Sequence, residues 1–165
     1  MGGNHQPESG NRLKRLGAVV YGADAQIATW VGRAIPGYTA SPDAKALGVI
    51  KGGKLVAGVV YERCNGFHCE VSITAREGSG WADRRTLFAL FHYPFHQLGC
   101  LALTVTVRLS NLKSLNLATK LGFARIALIP HAAHDGAPLV ILQMTRDTCI
   151  WIGNHGKRQQ STGRT

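Results

Sequence analysis

The sequence predicts an α/β protein built on a mixed, mostly antiparallel central sheet with helices on both faces. Three observations carry that reading. The turns Lys51-Gly52-Gly53-Lys54 and Asn65-Gly66 join three strand-like runs into an antiparallel meander, because both offer residues that accept positive φ. A helical pattern then separates the third run from a fourth alternating run, Leu101–Arg108, which makes that pair parallel through a right-handed crossover. Further helical patterns stand before the meander and after the crossover. At 165 residues the chain is long enough for one domain with a substantial core.

In chain order, residues 1–11 are polar and rich in Gly, Asn, Pro and Ser, and are expected to be disordered. Leu16–Tyr21 reads as the first strand, broken by Gly22. Asp24 stands at or near the cap of a helix from Ala25 to Ala34, whose packed side is Ile27, Trp30, Val31 and Ile35, and which ends before Pro36-Gly37. Gly37 to Asp43 is a loop, followed by strands Ala46–Ile50, Leu55–Glu62 and Phe67–Thr74. Along the last of these, Phe67, Cys69, Val71 and Ile73 share one face, and His68, Glu70, Ser72 and Thr74 the other.

The turn Arg76–Gly80 leads into an amphipathic helix over about Trp81–Leu98, with Trp81, Leu87, Phe88, Phe91 and Phe95 on its apolar side. Pro94 inside that pattern costs ~3 kcal/mol in a regular helix, so a kink or break is expected near Leu90–Pro94. In the crossover strand Leu101, Leu103, Val105 and Val107 share a face. Ser110 or Asn111 caps the next helix and Gly122 stops it. Phe123–Ile129 and Leu139–Thr145 form the last strand pair, and Arg146–Ile152 is a brief helical or extended end. The folded domain thus spans 12–152, with a basic, disordered tail over 153–165.

A strand, a glycine turn and a helix start together suit a pyrophosphate. Unpaired N–H groups and the positive end of the helix dipole converge there, and glycine permits close approach. Arg84 and Arg85 run against the dipole preference but make sense as counter-charges to a phosphate, while Asp83 would repel one unless it caps the helix.

Within this stretch, Glu77-Gly78-Ser79-Gly80-Trp81-Ala82 resembles the acyl-CoA signature of the GNAT superfamily of N-acetyltransferases, Gln/Arg-x-x-Gly-x-Gly/Ala, with Glu77 in place of the usual Gln or Arg. Asn111-Leu-Lys-Ser114, followed by Ala118 and Leu121-Gly122-Phe123, resembles the second signature, Asn-x-x-Ala/Ser and a helix closing on Leu-Gly-Phe. The resemblance runs from about Leu16 to Trp151, and the cadence from Trp81 through Arg85 to Gly99 is similar to the phage-encoded subset. Many members carry a tyrosine four residues before the Gly of Leu-Gly-Phe as general acid; here that position is Ala118.

The resemblance implies acetyl-CoA (or CoA) as cofactor, a pantetheine arm in the V between two splayed strands, and these site residues. Gly78, Ser79, Gly80, Trp81, Ala82, Arg84 and Arg85 would hold the cofactor's phosphates, the backbone at Val71, Ser72 and Ile73 its pantetheine, and Asn111 and Ser114 would add contacts. Glu70 stands where the family places its base. A mid-strand carboxylate needs solvent or a partner, and partial burial would raise its pKa toward the useful range for taking a proton from the acceptor ammonium. The competing assignment is a half-exposed strand glutamate paired with a neighbouring Arg or Lys. Ser114 and Asn116 remain as hydrogen-bond donors to the departing sulfur. Tyr38 and Ser41 in the first loop, and His131, His134 and Asp135 in the last, are candidate acceptor contacts beside the plainer reading of surface loops.

Formal net charge is +10, from 19 Lys+Arg against 9 Asp+Glu, which suits a polyanionic cofactor and leaves nucleic acid open as a partner. Part of it lies at the ends, in Arg12, Lys14, Arg15, Lys157, Arg158 and Arg164. Mean hydropathy is −0.02, and no apolar run approaches the ~20 residues of a membrane span. With no apolar N-terminal segment visible, the expectation is a cytoplasmic protein, in the host cytoplasm if phage-encoded. Cys64, Cys69, Cys100 and Cys149 lack CxxC spacing and read as free thiols in a reducing cytosol. Zinc sites from Cys64, His68 and Cys69, or from His92 and His96, compete with strand-end thiols and solvated or packed histidines, and no metal is expected.

The resulting expectation is an acetyl-CoA-dependent N-acetyltransferase acting on a primary amine by direct attack in a ternary complex, because no cysteine stands in a nucleophile setting. Two rivals share the scaffold: a phage DNA-adenine modification enzyme of the Mom type, and a non-catalytic binding module. A homodimer through exposed strands stays open.

Overall fold

The computed structural model describes residues 14–16 and 18–153. The expected disordered ends, and with them Arg12, Lys157, Arg158 and Arg164, lie outside the described residues. The elements are β1 (Lys14–Leu16), β2 (Val19–Tyr21), α1 (Asp24–Ala34), β3 (Lys45–Lys51), β4 (Lys54–Glu62), β5 (His68–Ala75) and α2 (Arg84–His92). After a π-helical turn (Tyr93–Gln97) come β6 (Ala102–Arg108), α3 (Leu112–Leu121), β7 (Ala124–Ile129) and β8 (Leu139–Thr145). They form one sheet in the order β1-β2-β3-β4-β5-β6-β8-β7, antiparallel at every junction except β5–β6.

Burial parity puts the helices on opposite faces. Ile27, Ala28 and Val31 of α1 pack with Ala46 and Val60, whereas α2 and α3 pack on the face carrying Leu47, Val49, Val59 and Tyr61. Gly58 lets α1 lie close, since a Cβ there would meet Val31 at 2.7 Å. On the other face the buried Tyr61 hydroxyl donates to the Leu90 carbonyl at 2.6 Å and pins α2 down.

Most turns follow their sequence signals. Gly52 and Gly53 both have positive φ, the conformation a two-residue hairpin turn requires. Asn65 Oδ1 accepts from the N–H groups of Phe67 and His68, closing the next turn with Gly66 at φ 89°. Asn111 caps α3 by accepting from the Ser114 N–H, and Gly122 ends it in the left-handed region.

Several expectations need correction. The first strand is two short ones, with Leu16 pairing Val19, so the chain reverses where the sequence reads as a single run. Asp24 stands next to the cap position, Ala23, as expected, but its carboxylate makes no cap bond; it accepts from the Ala46 N–H at 2.8 Å and ties the helix start to β3. The crossover helix begins at Arg84 rather than Trp81, because Asp83 caps it by accepting from the Thr86 N–H at 2.9 Å. The regular α-helix ends at His92, within the window expected from Pro94. The chain then widens to π-helical geometry, which accommodates the missing N–H. Phe67, Leu101 and Phe88, expected on apolar faces, are exposed; the first two precede their strands. Residues 146–152 form neither helix nor strand but turns.

The cysteine reading changes most. Cys64 and Cys69 are joined by a disulfide, because the Asn65 turn brings their Cα atoms to 4.4 Å. Cys100 and Cys149 are buried and lie outside that disulfide. No helix among the described residues is long and apolar enough to cross a membrane.

Candidate active site

The one parallel pair is also the place where the sheet opens. β5 and β6 are in register only from His68↔Ala102 to Glu70↔Thr104. Beyond it β5 follows β4 as far as Ala75, and β6 follows β8 as far as Arg108. Each strand keeps its own antiparallel partner, so a gap opens between them with Glu70 at its apex. Val71, Ser72 and Ile73 flank this gap on β5, as expected of a strand edge released from its ladder.

On the α2 face, Val71, Ile73 and Trp81 line a small apolar pocket with Tyr61, Leu87 and Leu121. Trp81 is buried there, so the turn before α2 is anchored by its own side chain. Gly78 and Gly80 have φ of 69° and 63°, conformations that other residues adopt only under strain. The Ser79 N–H donates to the Arg76 carbonyl at 3.4 Å, and Ala82 follows in an exposed, irregular stretch.

This turn is more polar than the sequence suggested. Lys51 Nζ donates to the Gly80 carbonyl at 2.6 Å and lies 3.4 Å from the Asp83 carboxylate. The Thr86 N–H, with help from Lys51, holds the Asp83 carboxyl below its ordinary range despite partial desolvation. The helix start therefore carries its own anion, and Lys51 neutralises it. Arg84 and Arg85 are exposed and make no ion pair among the described residues, which leaves two cations for an incoming phosphate. Glu77 pairs with Lys113 of α3 at 3.2 Å. That bridge brings the two signature segments, Glu77–Ala82 and Asn111–Ser114, to one end of the gap. Asn111 is committed to capping, and Ser114 stands half-buried in the first turn of α3.

The opposite face is built around a carboxylate that sequence reasoning passed over. Glu62, the last residue of β4, is 4% exposed. It accepts from the Tyr38 hydroxyl at 2.6 Å and from the Ser41 N–H at 2.9 Å. Burial pushes its pKa up, but the Tyr38 and Ser41 donors and the Arg63 charge outweigh burial and hold it below its ordinary value of 4.5. Burial and this acceptance of the Tyr38 proton raise the Tyr38 hydroxyl far above the usual phenol range. Tyr38 and Ser41 are thus tied to Glu62, which is the ladder partner of Glu70.

Glu62 is directly opposite Glu70 in the β4–β5 ladder, so both carboxylates project to the α1 face. Arg63 pairs with Glu70, which is about half-exposed, not sequestered. Glu70 is partly buried, as expected, whereas Glu62 is buried outright. The signal available was a glutamate ending an otherwise apolar buried strand, Leu55–Glu62.

The second loop meets the first. A Cβ on Gly37 would lie 2.9 Å from His134 Nδ1, and Arg108 holds that loop by a two-pronged contact to Asp135. The Ala137 N–H and Arg108 keep the Asp135 carboxyl low. His131 is exposed with φ 58° and turns the loop. Of the other weighed groups, His68 contacts Thr104 Oγ1 at 2.9 Å, and His92 stacks on Phe88 with the His96 ring against its own.

No family model matches this chain, and no curated protein does. Solved structures do resemble it. A probable acetyltransferase superposes with a TM-score of 0.56 at 16% identity over 64% of this chain and 64% of its own. Mutant forms of the spermidine/spermine N-acetyltransferase SpeG from Vibrio cholerae give 0.56 at 17% identity over 63% of this chain and 68% of their own. The N-acetyltransferase PseH from Campylobacter jejuni gives 0.50 at 16% over 64% and 70%. The match thus spans less than two thirds of the first of these proteins. At such identities the likeness shows the fold, and the expected α/β architecture is the one these acetyltransferases share.

Proposed function

We propose that the chain is an N-acetyltransferase of the GNAT superfamily, moving an acetyl group from acetyl-CoA to a primary amine by direct attack in a ternary complex. The observation that carries this reading is the gap that opens between β5 and β6 at Glu70, with a glycine turn on one side of the sheet and two facing carboxylates on the other. The fold shared with SpeG and PseH, both N-acetyltransferases, supports it.

The residues present fit the cofactor. Gly78 to Ala82 offer backbone at positive φ for close approach, and Arg84 and Arg85 offer uncommitted charge to phosphates. The released edge at Val71–Ile73 offers peptide groups to the pantetheine amides, and Ser114 a half-buried hydroxyl in the first turn of α3. When bound, acetyl-CoA supplies an acetyl thioester and a thiolate leaving group.

The protein's own part is to present a neutral amine. The acceptor ammonium is held on the α1 face beside Glu70 and Glu62, rimmed by Tyr38, Ser41 and the His134 loop. Glu70, at the apex, takes a proton from the ammonium nitrogen directly or through water, since only the free amine has a lone pair for attack. Arg63 keeps Glu70 oriented, and Glu62 fixes Tyr38 and the loop above it. Ser114 donates a hydrogen bond toward the departing sulfur, a contact for which Ala118 has no side-chain donor. Cys64 and Cys69 are bonded to each other and Cys100 and Cys149 are buried, which favours direct attack over a covalent acyl-enzyme.

Steady-state transfer from acetyl-CoA to a panel of primary amines, polyamines included, tests the assignment. Glu70→Gln should lower kcat/KM by about 10²–10⁴-fold while leaving the acetyl-CoA dissociation constant nearly unchanged. Equal losses in both would make Glu70 a structural residue.

A further inference from the structure

The Cys64–Cys69 disulfide has a third sulfur against it. Cys100 Sγ lies 3.1 Å from Cys69 Sγ, and the three sulfurs lie within 4.8 Å of one another. Closing the hairpin needs only two of them. The third comes from the stretch before β6, 31 residues away from Cys69, and is held by backbone. The Cys100 N–H donates to the Pro94 carbonyl at 2.9 Å, the Leu101 N–H donates to the Phe67 carbonyl at 2.6 Å, and the Arg146 guanidinium donates to the Cys100 carbonyl at 3.1 Å. Cys69 and Cys100 are fully buried, whereas Cys64 is exposed.

We infer that Cys64, Cys69 and Cys100 form a thiol–disulfide exchange site whose outer sulfur, Cys64, is a modification site for low-molecular-mass disulfides. The Cys100 thiolate attacks Cys69 Sγ; the Cys69–Cys100 bond forms as the Cys64–Cys69 bond breaks, and Cys64 leaves as a thiolate. One bond replaces another, the proton lost from Cys100 is matched by one available to Cys64, and no oxidant is consumed. The surface thiolate of Cys64 then attacks a small disulfide RSSR, forming Cys64–SSR and releasing RS⁻. Burial pushes the Cys100 thiol up and Arg146 offsets part of that, so exchange is slow but not blocked.

The test uses the unmodified protein incubated with oxidised glutathione, quenched with acid and mapped by proteolysis and mass spectrometry. The expected product carries one glutathione on Cys64 together with a Cys69–Cys100 linkage. Absence of that product, or glutathione on Cys100 with Cys64–Cys69 intact, overturns the proposal. The exposed substitution Cys64→Ser gives an independent check. Under the same oxidant it should form the Cys69–Cys100 bond, and a product that stops at a glutathione adduct or stays reduced overturns the proposal equally.

Discussion

Glu62 stands directly across the β4–β5 ladder from Glu70, and the two carboxylates are satisfied by different partners: Tyr38 and the Ser41 backbone for the first, Arg63 for the second. Like charges facing each other on one side of a sheet destabilise it unless something answers them. Here a phenol, a peptide N–H and a guanidinium do so, and the residual negative character faces the α1 side of the gap. An ammonium group is the natural further partner.

Tyr38→Phe should therefore reduce stability by about 1–3 kcal/mol, because it leaves a buried carboxylate oxygen without its donor. Urea denaturation measures this. Glu62→Gln should cost less than Glu62→Leu, since the amide oxygen can still accept from Tyr38. A Tyr38→Phe variant as stable as the parent would remove Glu62 from the account of the acceptor loop.

The same carboxylate gives stability a pH dependence whose sign is fixed. Donors hold Glu62 below its ordinary 4.5, and the Thr86 N–H holds Asp83 below its ordinary 3.8. A folded-state value below the unfolded one contributes stability that is full above the unfolded value and is lost as pH falls through the folded one. The contribution of these two carboxylates should thus be constant near neutrality and decline once pH drops past 4.5. Tyr38→Phe should flatten that decline. Stability that rises on acidification would contradict the assignment.

Asp83→Ala should destabilise by about 0.5–2 kcal/mol through loss of the α2 cap, read as a lower Tm. Its effect on cofactor should run the other way. Removing an anion from the helix start and freeing Lys51 should leave acetyl-CoA affinity unchanged or stronger. A weakened affinity would mean that Asp83 shapes the phosphate cradle directly.

Local chemistry wrote part of this fold into the sequence. Gly52-Gly53, Asn65-Gly66, Asn111 and Gly122 each impose a backbone conformation by themselves, and the turns and the α3 ends stand where those residues put them. Parity along β5 assigned Val71 and Ile73 to one face and Glu70 and Ser72 to the other. The misses depend on contacts between distant segments. Asp24 reaches across to Ala46, Glu62 is buried only because the loop of Tyr38 and Ser41 folds over it, and the place of Cys100 rests on backbone bonds to Phe67 and Pro94. Asp83 was ambiguous for a different reason: the same residue can repel a phosphate or cap a helix, and only the Thr86 hydrogen bond decides.

The central claim is that the gap at Glu70 and the turn at Gly80 hold a nucleotide thioester. Thermal unfolding with and without acetyl-CoA tests it most directly. At about 100 times the dissociation constant a single site adds ~2.7 kcal/mol. For a domain of this size that raises Tm by roughly 5–10 °C. A melting curve left unmoved by millimolar acetyl-CoA would contradict the account.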